Sequence, residues 1–426
     1  MRVITLAAAV LLASGCEDVA SQSSSATQPP STRAFDASAA ARWTPAAEVA
    51  PGSRQERCPL YQNPALARRG QGVVAVWLAR TDSDVGRFHW AELAPAATAW
   101  TPPRPLAEGA ASYFQDGAAE LVGLSDGSVV AFWLWPENTS DRRLMTATLP
   151  AGAEAWTTPA PAPYELARHI RGAAGADGAL HVVWSGAAGP TYARRSADGR
   201  WSAGEPVRDL ADRFVDVEMT GGPSPQRVRT SGGGPMIAAA PNGAVMVAWW
   251  DNHFTLTDMG DGRRDLMWRV RAADGRWSPS RRFDAARTEE PQHSTLAADG
   301  EGFVLLFAGR ENRAHAARLA YGAERWTAPR ALHGSGRMFE PALAPAAGGT
   351  LLASWRAHGV SREARLVAAG SGGADLFRPL PAPPIDDSDL FGHAVAADAT
   401  GRVVALFDDP EEPQGCAGLV WSATTR

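Results

Sequence analysis

Seven times along the chain, a turn residue leads into a short apolar run that closes on an aromatic side chain. The runs end at Trp77, Trp133, Trp184, Trp249, Phe307, Trp355 and Phe407, between 48 and 65 residues apart. Consecutive apolar positions with no polar alternation predict strands that are covered on both faces. Ahead of each run lies another apolar segment, such as 64–67 or 341–344, and behind it a polar loop and a third strand such as 88–93 or 266–271. A tight turn then leads to an outer segment that reads Trp-Thr/Ser-Pro or a near variant. Its aromatic is Trp100, Trp156, Trp201, Trp277 or Trp326 in the first five units and Phe377 in the sixth. Proline is tolerated there because an edge strand need not donate on both sides. Helical periodicity is absent.

Four antiparallel strands per unit, repeated at this period, predict an all-β fold, a seven-bladed β-propeller with a six-bladed ring as the alternative. The seventh unit has no outer segment after its third strand at 418–421, whereas a spare copy of the motif, Trp43, Thr44 and Pro45, stands ahead of the first unit. The N-terminal strand is therefore expected to complete the last blade and leave no open seam.

The N-terminus adds an address. Arg2 precedes an apolar run from Val3 to Ala13, too short to remain as a membrane span. Leu12, Ala13, Ser14, Gly15 and Cys16 follow. This resembles the lipobox of bacterial lipoproteins, which implies a signal peptide over 1–15, lipidation of Cys16 and export to the cell envelope, with Glu17 favouring the outer membrane. Residues 16–40 are Ser- and Pro-rich and read as a disordered tether, and 41–426 as the propeller. The other two cysteines, Cys58 and Cys416, fall at loops that ring closure brings to one face, so a disulfide between them is expected.

Net charge is -5 and all 41 basic residues are arginine. That excludes Schiff-base and P-loop lysine chemistry and leaves no basic face for nucleic acid. The string Gly123, Ser125, Gly127 matches a nucleophile elbow but lies in a strand-to-strand turn, where that motif has no function. Two turns, Ser196, Asp198, Gly199, Trp201 and Asp274, Gly275, Trp277, look like shortened Asp-boxes of sialidase-like (BNR-type) propellers. The resemblance implies the fold; the family's Arg-Ile-Pro motif has no match, so no catalytic residue is carried over.

Aligning the entries of the units gives a polar ring at the mouth of the central channel: Asn63, Asp116, His169, His293, Glu340 and His393, with Arg227 and Arg229 from an insertion in the fourth unit. Tyr61, Tyr113, Phe114, Tyr164, Phe339 and Phe391 accompany it. Polar groups between aromatic plates suit a sugar. The expected function is binding or scaffolding, by a monomer held to the membrane by lipid alone, with a glycan or an envelope protein as ligand. The alternative is a sialidase-like glycoside hydrolase using Asp116 with Glu290 or Glu340. No cofactor is required; the acidic residues Asp386, Asp387, Asp408 and Asp409, and the loop holding Asp258, Asp261 and Asp265, are calcium candidates.

Overall fold

The apolar runs become the second strands of antiparallel sheets, and they are buried as their composition requires: Val129–Trp135 and Gly302–Ala308 are covered at almost every position. The computed structural model describes residues 42–45, 47–49, 61–80, 85–110, 119–135, 143–165, 168–186, 189–208, 214–217, 226–253, 264–284, 294–309, 313–332, 337–346, 349–358, 364–369, 377–379, 393–409 and 418–425. They form an all-β propeller of seven sheets, numbered I to VII in chain order. Sheet I runs outward from Tyr61–Arg69 through Gly72–Arg80 and Val85–Leu93 to Arg104–Ala110. The inner strands of sheets II to VII are Glu120–Gly123, Arg168–Ala174, Gln226–Ala239, Ser294–Ala298, Arg337–Pro345 and His393–Ala397. Each inner strand touches the next in cyclic order, and that of sheet VII touches that of sheet I.

Sheet VII contains strands His393–Ala397, Val403–Asp409 and Gly418–Thr425, and its outer side is made by Arg42–Trp43 and Ala47–Glu48, both paired with Gly418–Thr425. The hydrogen bonds explain why the motif carries Thr or Ser after tryptophan. The Thr101 N–H donates to Glu92 O at 2.8 Å, while Thr101 Oγ1 accepts the Glu92 N–H at 2.9 Å. Thr157, Ser202, Ser278 and Thr327 make the same reciprocal pair with Thr148, Arg194, Val270 and Arg318. Thr44 makes it with Ala423, at 2.8 and 3.1 Å. In sheets I to V the motif precedes the outer ladder: Trp201 and Trp277 form isolated bridges, and the regular outer strands begin further on, whereas Phe377 and Trp43 lie within the ladders of sheets VI and VII.

Aromatic edges lock neighbouring sheets. The outer tryptophan of one sheet stands edge-on to an aromatic in the third strand of the preceding sheet, as in Trp156 on Trp90 (6.1 Å), Trp277 on Tyr192 (5.5 Å) and Trp326 on Trp268 (6.1 Å). Trp100 meets Trp421 of sheet VII in the same way at 6.0 Å. Such pairs contribute about 0.5–1.5 kcal/mol each beyond area burial. Arg402 of sheet VII adds bonds to the carbonyls of Ala94 (3.0 Å) and Ala97 (2.6 Å) in sheet I.

Three expectations change. Asp408 and Asp409 are not in a loop; they prolong the second strand of sheet VII and pair with Leu419 and Gly418, because the hairpin ladder continues that far. Asp265 likewise lies on strand Arg264–Arg271. The insertion holding Arg227 and Arg229 is no separate loop: Gln226–Ala239 is one continuous inner strand, and Phe214–Val217 pairs with its first part as a fifth strand of sheet IV.

Candidate functional site at the channel mouth

Four inner strands break register at one level. In sheets I, III, IV and VI, two residues stand opposite the aromatic that ends the second strand, between the pairs Gln62/Ala65, Arg168/Arg171, Gly233/Met236 and Phe339/Ala342. These are β-bulges, which kink a strand and re-aim its side chains. The first residue of each bulge is Asn63, His169, Gly234 and Glu340, so three residues of the expected ring occupy equivalent positions. The second is Pro64, Ile170, Pro235 and Pro341; proline has no N–H for the ladder, which explains the break in three of the four. That recurrent X-Pro step is the signal by which the bulges could have been read from sequence. Gly234 adopts φ 55° cheaply, but His169 is held at φ 47°. A non-glycine residue there carries about 1–3 kcal/mol of strain, kept where the surroundings impose it.

One level deeper, the residue paired with the position before the terminal aromatic is Glu120 in sheet II and Arg171 in sheet III. The other five sheets place Ala65, Met236, Thr295, Ala342 and Ala394 there. Arg171 Nη1 lies 3.6 Å from Glu120 Oε2, the side chains being 53% and 31% exposed. Arg171 also donates to Ile170 O at 2.9 Å. Burial pushes the Glu120 carboxyl above its ordinary range, against the opposing pull of Arg171 and of the Gly172 N–H. The next level down is apolar in all seven strands, from Leu66 and Leu121 to Leu343 and Val395.

A second charged group closes the mouth side between sheets III and IV. Asp251 and Asp265 face each other across strands Val245–His253 and Arg264–Arg271. Arg208 from sheet III approaches Asp251 at 3.4 Å, the Trp249 indole donates to Asp251 at 3.1 Å, and Arg282 lies 3.8 Å from Asp265. Asp251, Asp265 and Arg208 are buried. Two carboxylates directly opposite repel, and the two arginines and the indole offset that. On the opposite end of the ring, His181 and Tyr192 form a buried pair, Nδ1 to Oη 2.7 Å, and burial takes His181 down to about 4 and Tyr192 up to about 12.

The remaining expected residues are placed as follows. Tyr61, Arg227, Arg229 and His393 are on inner strands, His393 opposite Phe407. Tyr164 is not at the mouth. It lies on the outer strand Ala160–Glu165 and packs on Trp184 and Trp201, with its hydroxyl on Ser202 O. It fills the place where sheet II has Thr146 in the ladder position that Trp90 and Tyr192 occupy elsewhere. Cys16, Cys58, Tyr113, Asp116, Glu290, His293, Asp386, Asp387 and Cys416 lie outside the described residues. Among the described residues, no three His, Cys, Asp or Glu come together to hold a metal, and no helix is long and apolar enough to cross a membrane. Ser125 lies in the hairpin turn between strands Glu120–Gly123 and Val129–Trp135, closed by Leu124 N–H to Ser128 O and braced by Asp126. Asp198 and Asp274 brace their own turns and pair with Arg200 and Arg276.

No family model and no curated protein sequence matches the chain. Solved structures with a similar fold include an ulvan lyase, from a new family of polysaccharide lyases, at 10% identity and TM-score 0.58, covering 89% of this chain and 95% of that one. The same enzyme bound to -[GlcA(1-4)Rha3S]- aligns at 9% identity and TM-score 0.56, with the same coverage. A fungal alcohol oxidase in complex with copper aligns at 11% identity and TM-score 0.53, covering 90% of this chain and 76% of that one. At these identities the likeness is one of fold.

Proposed function

We propose that the chain is a glycan-binding module of the bacterial cell envelope: a seven-bladed ring, completed by residues 42–49, whose channel mouth takes the ligand. The seven sheets, the cyclic contacts of their inner strands and the pairing of Thr44 with Ala423 support the ring. The observation that carries the binding reading is the shared level of the bulges. Four strands are kinked at one height, and His169 is kept there in a conformation that its own backbone disfavours. Asn63, His169, Glu340 and His393 stand at the same end of four inner strands, with Tyr61 and Phe339 on two of them, and residues of these types suit a sugar. The similar ulvan lyase, a polysaccharide lyase, gives this fold a precedent for a glycan ligand.

In this reading the signal peptide is removed, Cys16 is lipidated, residues 16–40 tether the ring to the outer membrane, and a Cys58–Cys416 disulfide clasps its ends. A glycan array probed with the full chain is expected to show binding without turnover. His169→Ala and Tyr61→Ala should each weaken that binding at least ~10-fold while leaving the fold intact. Binding to no glycan would overturn the proposal in favour of an envelope protein as ligand. Release of aryl groups from aryl glycosides, lost in Glu340→Gln, would replace it with the hydrolytic reading. Metabolic labelling with palmitate, abolished by Cys16→Ser, tests the anchor.

A further inference from the structure

We infer that the channel between sheets II and III holds a proton-linked anion site, in which Arg171 binds a small oxyanion by releasing Glu120. The two residues occupy the same level of adjacent inner strands, one level below the bulges. They are the charged residues of that level, and the other five strands contribute Ala, Met or Thr. Their contact is loose. At 3.6 Å it is an ion pair without a direct hydrogen bond, and Arg171, half exposed, already gives one N–H to Ile170 O. An oxyanion entering from the mouth could accept from the exposed part of the guanidinium, in the fork geometry that suits it. Val122, two residues on from Glu120 and so on the same face of its strand, is buried with Phe132 and Ile170 and gives the site an apolar floor, which strengthens any charge interaction above it.

Glu120 links this exchange to protons. Its carboxyl is already pushed above the usual range, and Arg171 is the cation that opposes the push. Once the anion takes Arg171, Glu120, partly desolvated and beside a second negative charge, is driven more strongly to take a proton from solvent. The packed strands bring few other titratable or charged groups, and Glu120→Gln separates its part from theirs. Val129–Trp135 has none; on Tyr61–Arg69, Arg68 is bonded to Gly70 O and Arg69 to Glu92 and to turn carbonyls of sheet II, leaving Tyr61 at the mouth. Arg168–Ala174 brings Arg168 and His169 at the bulge, above the pair. The inference is independent of the glycan reading: a small anion site can exist whether or not the mouth binds sugars.

Isothermal titration of the full chain with acetate and with sulfate, at constant ionic strength between about pH 5.5 and 7.5, tests it where both anions are largely ionised. One anion per chain is expected, with affinity rising as the pH falls, about tenfold per unit being the ceiling that uptake of one proton sets. Binding of acetate, of sulfate or of both supports the site and identifies the oxyanion; binding of neither overturns it. Glu120→Gln, which keeps the shape and the acceptor for Gly172, should bind equally at all these pH values and, near pH 7.5, more tightly than the wild type. Arg171→Ala should abolish binding, and Arg171→Lys, which retains the charge with less truncation, should restore part of it. A pH-independent affinity in the wild type, or binding that survives Arg171→Ala, would refute the proposal.

Discussion

Replacing Thr44 by valine tests whether the N-terminal segment is a structural strand of the last sheet. Valine keeps the branched shape, so the change removes little besides the hydroxyl. That hydroxyl accepts the Ala423 N–H at 3.1 Å, on a residue that is 1% exposed, while the Thr44 N–H donates to Ala423 O at 2.8 Å. The substitution therefore leaves a buried N–H without its acceptor, a loss of about 1–3 kcal/mol. Thr327→Val provides the internal standard, since Thr327 makes the same pair with Arg318 inside sheet V. Urea unfolding of both variants should show a lowered midpoint at unchanged slope, with losses of similar size. If residues 42–49 open more cheaply than the whole ring unfolds, the loss is capped at that opening energy. It then appears as faster amide exchange at Ala423, about tenfold for every 1.4 kcal/mol. Should Thr44→Val leave both the midpoint and the Ala423 exchange at wild-type values while Thr327→Val is destabilised, ring closure by this segment is refuted.

Two further outcomes follow from backbone strain and burial. Ala96 sits at φ 57° in the turn where Gly152 and Gly322 hold φ 70° and 78°, so Ala96→Gly should stabilise the fold by about 1 kcal/mol and Gly152→Ala should destabilise it by a similar amount, read from urea midpoints. His181 is held neutral, with a folded value of about 4 against an ordinary 6.5, so the unfolded chain takes up a proton that the folded one refuses. Stability attributable to this residue is therefore full above about pH 6.5, falls as pH drops, and is lost by about 3 kcal/mol near pH 4. The slope of unfolding free energy against pH should flatten over that range in His181→Phe, and an unchanged slope would contradict the assignment.

What the sequence discloses and what it conceals divide along a physical line. The repeat is legible because each second strand is covered on both faces, and only an uninterrupted apolar run ending in a large ring satisfies that burial. The spare copy of the outer motif is legible for a related reason. A Thr or Ser at that point has a backbone task, seen at Thr101, Thr157 and Thr327, and a sequence that preserves it at Thr44 preserves the bond it makes. The mouth is harder. A bulge inserts one residue without altering composition, so Asn63, His169 and Glu340 align by eye, but nothing in their neighbours shows that two residues share one aromatic partner; only the proline after Asn63, Gly234 and Glu340 hints at it. Tyr164 misleads because an aromatic near a blade entry reads as a mouth residue. It is instead the outer strand's answer to a threonine where sheets I, III, IV and VII have Trp or Tyr. The Glu120–Arg171 pair is the least legible, since it joins residues from different repeats and depends on ring order and ladder register together. Within a repeat, selection for packing writes itself into periodicity; between repeats, a functional contact needs only one residue on each side. The chemistry of such a ring is therefore to be sought where equivalent positions cease to be alike, and at the level below the bulges the departures are Glu120 and Arg171.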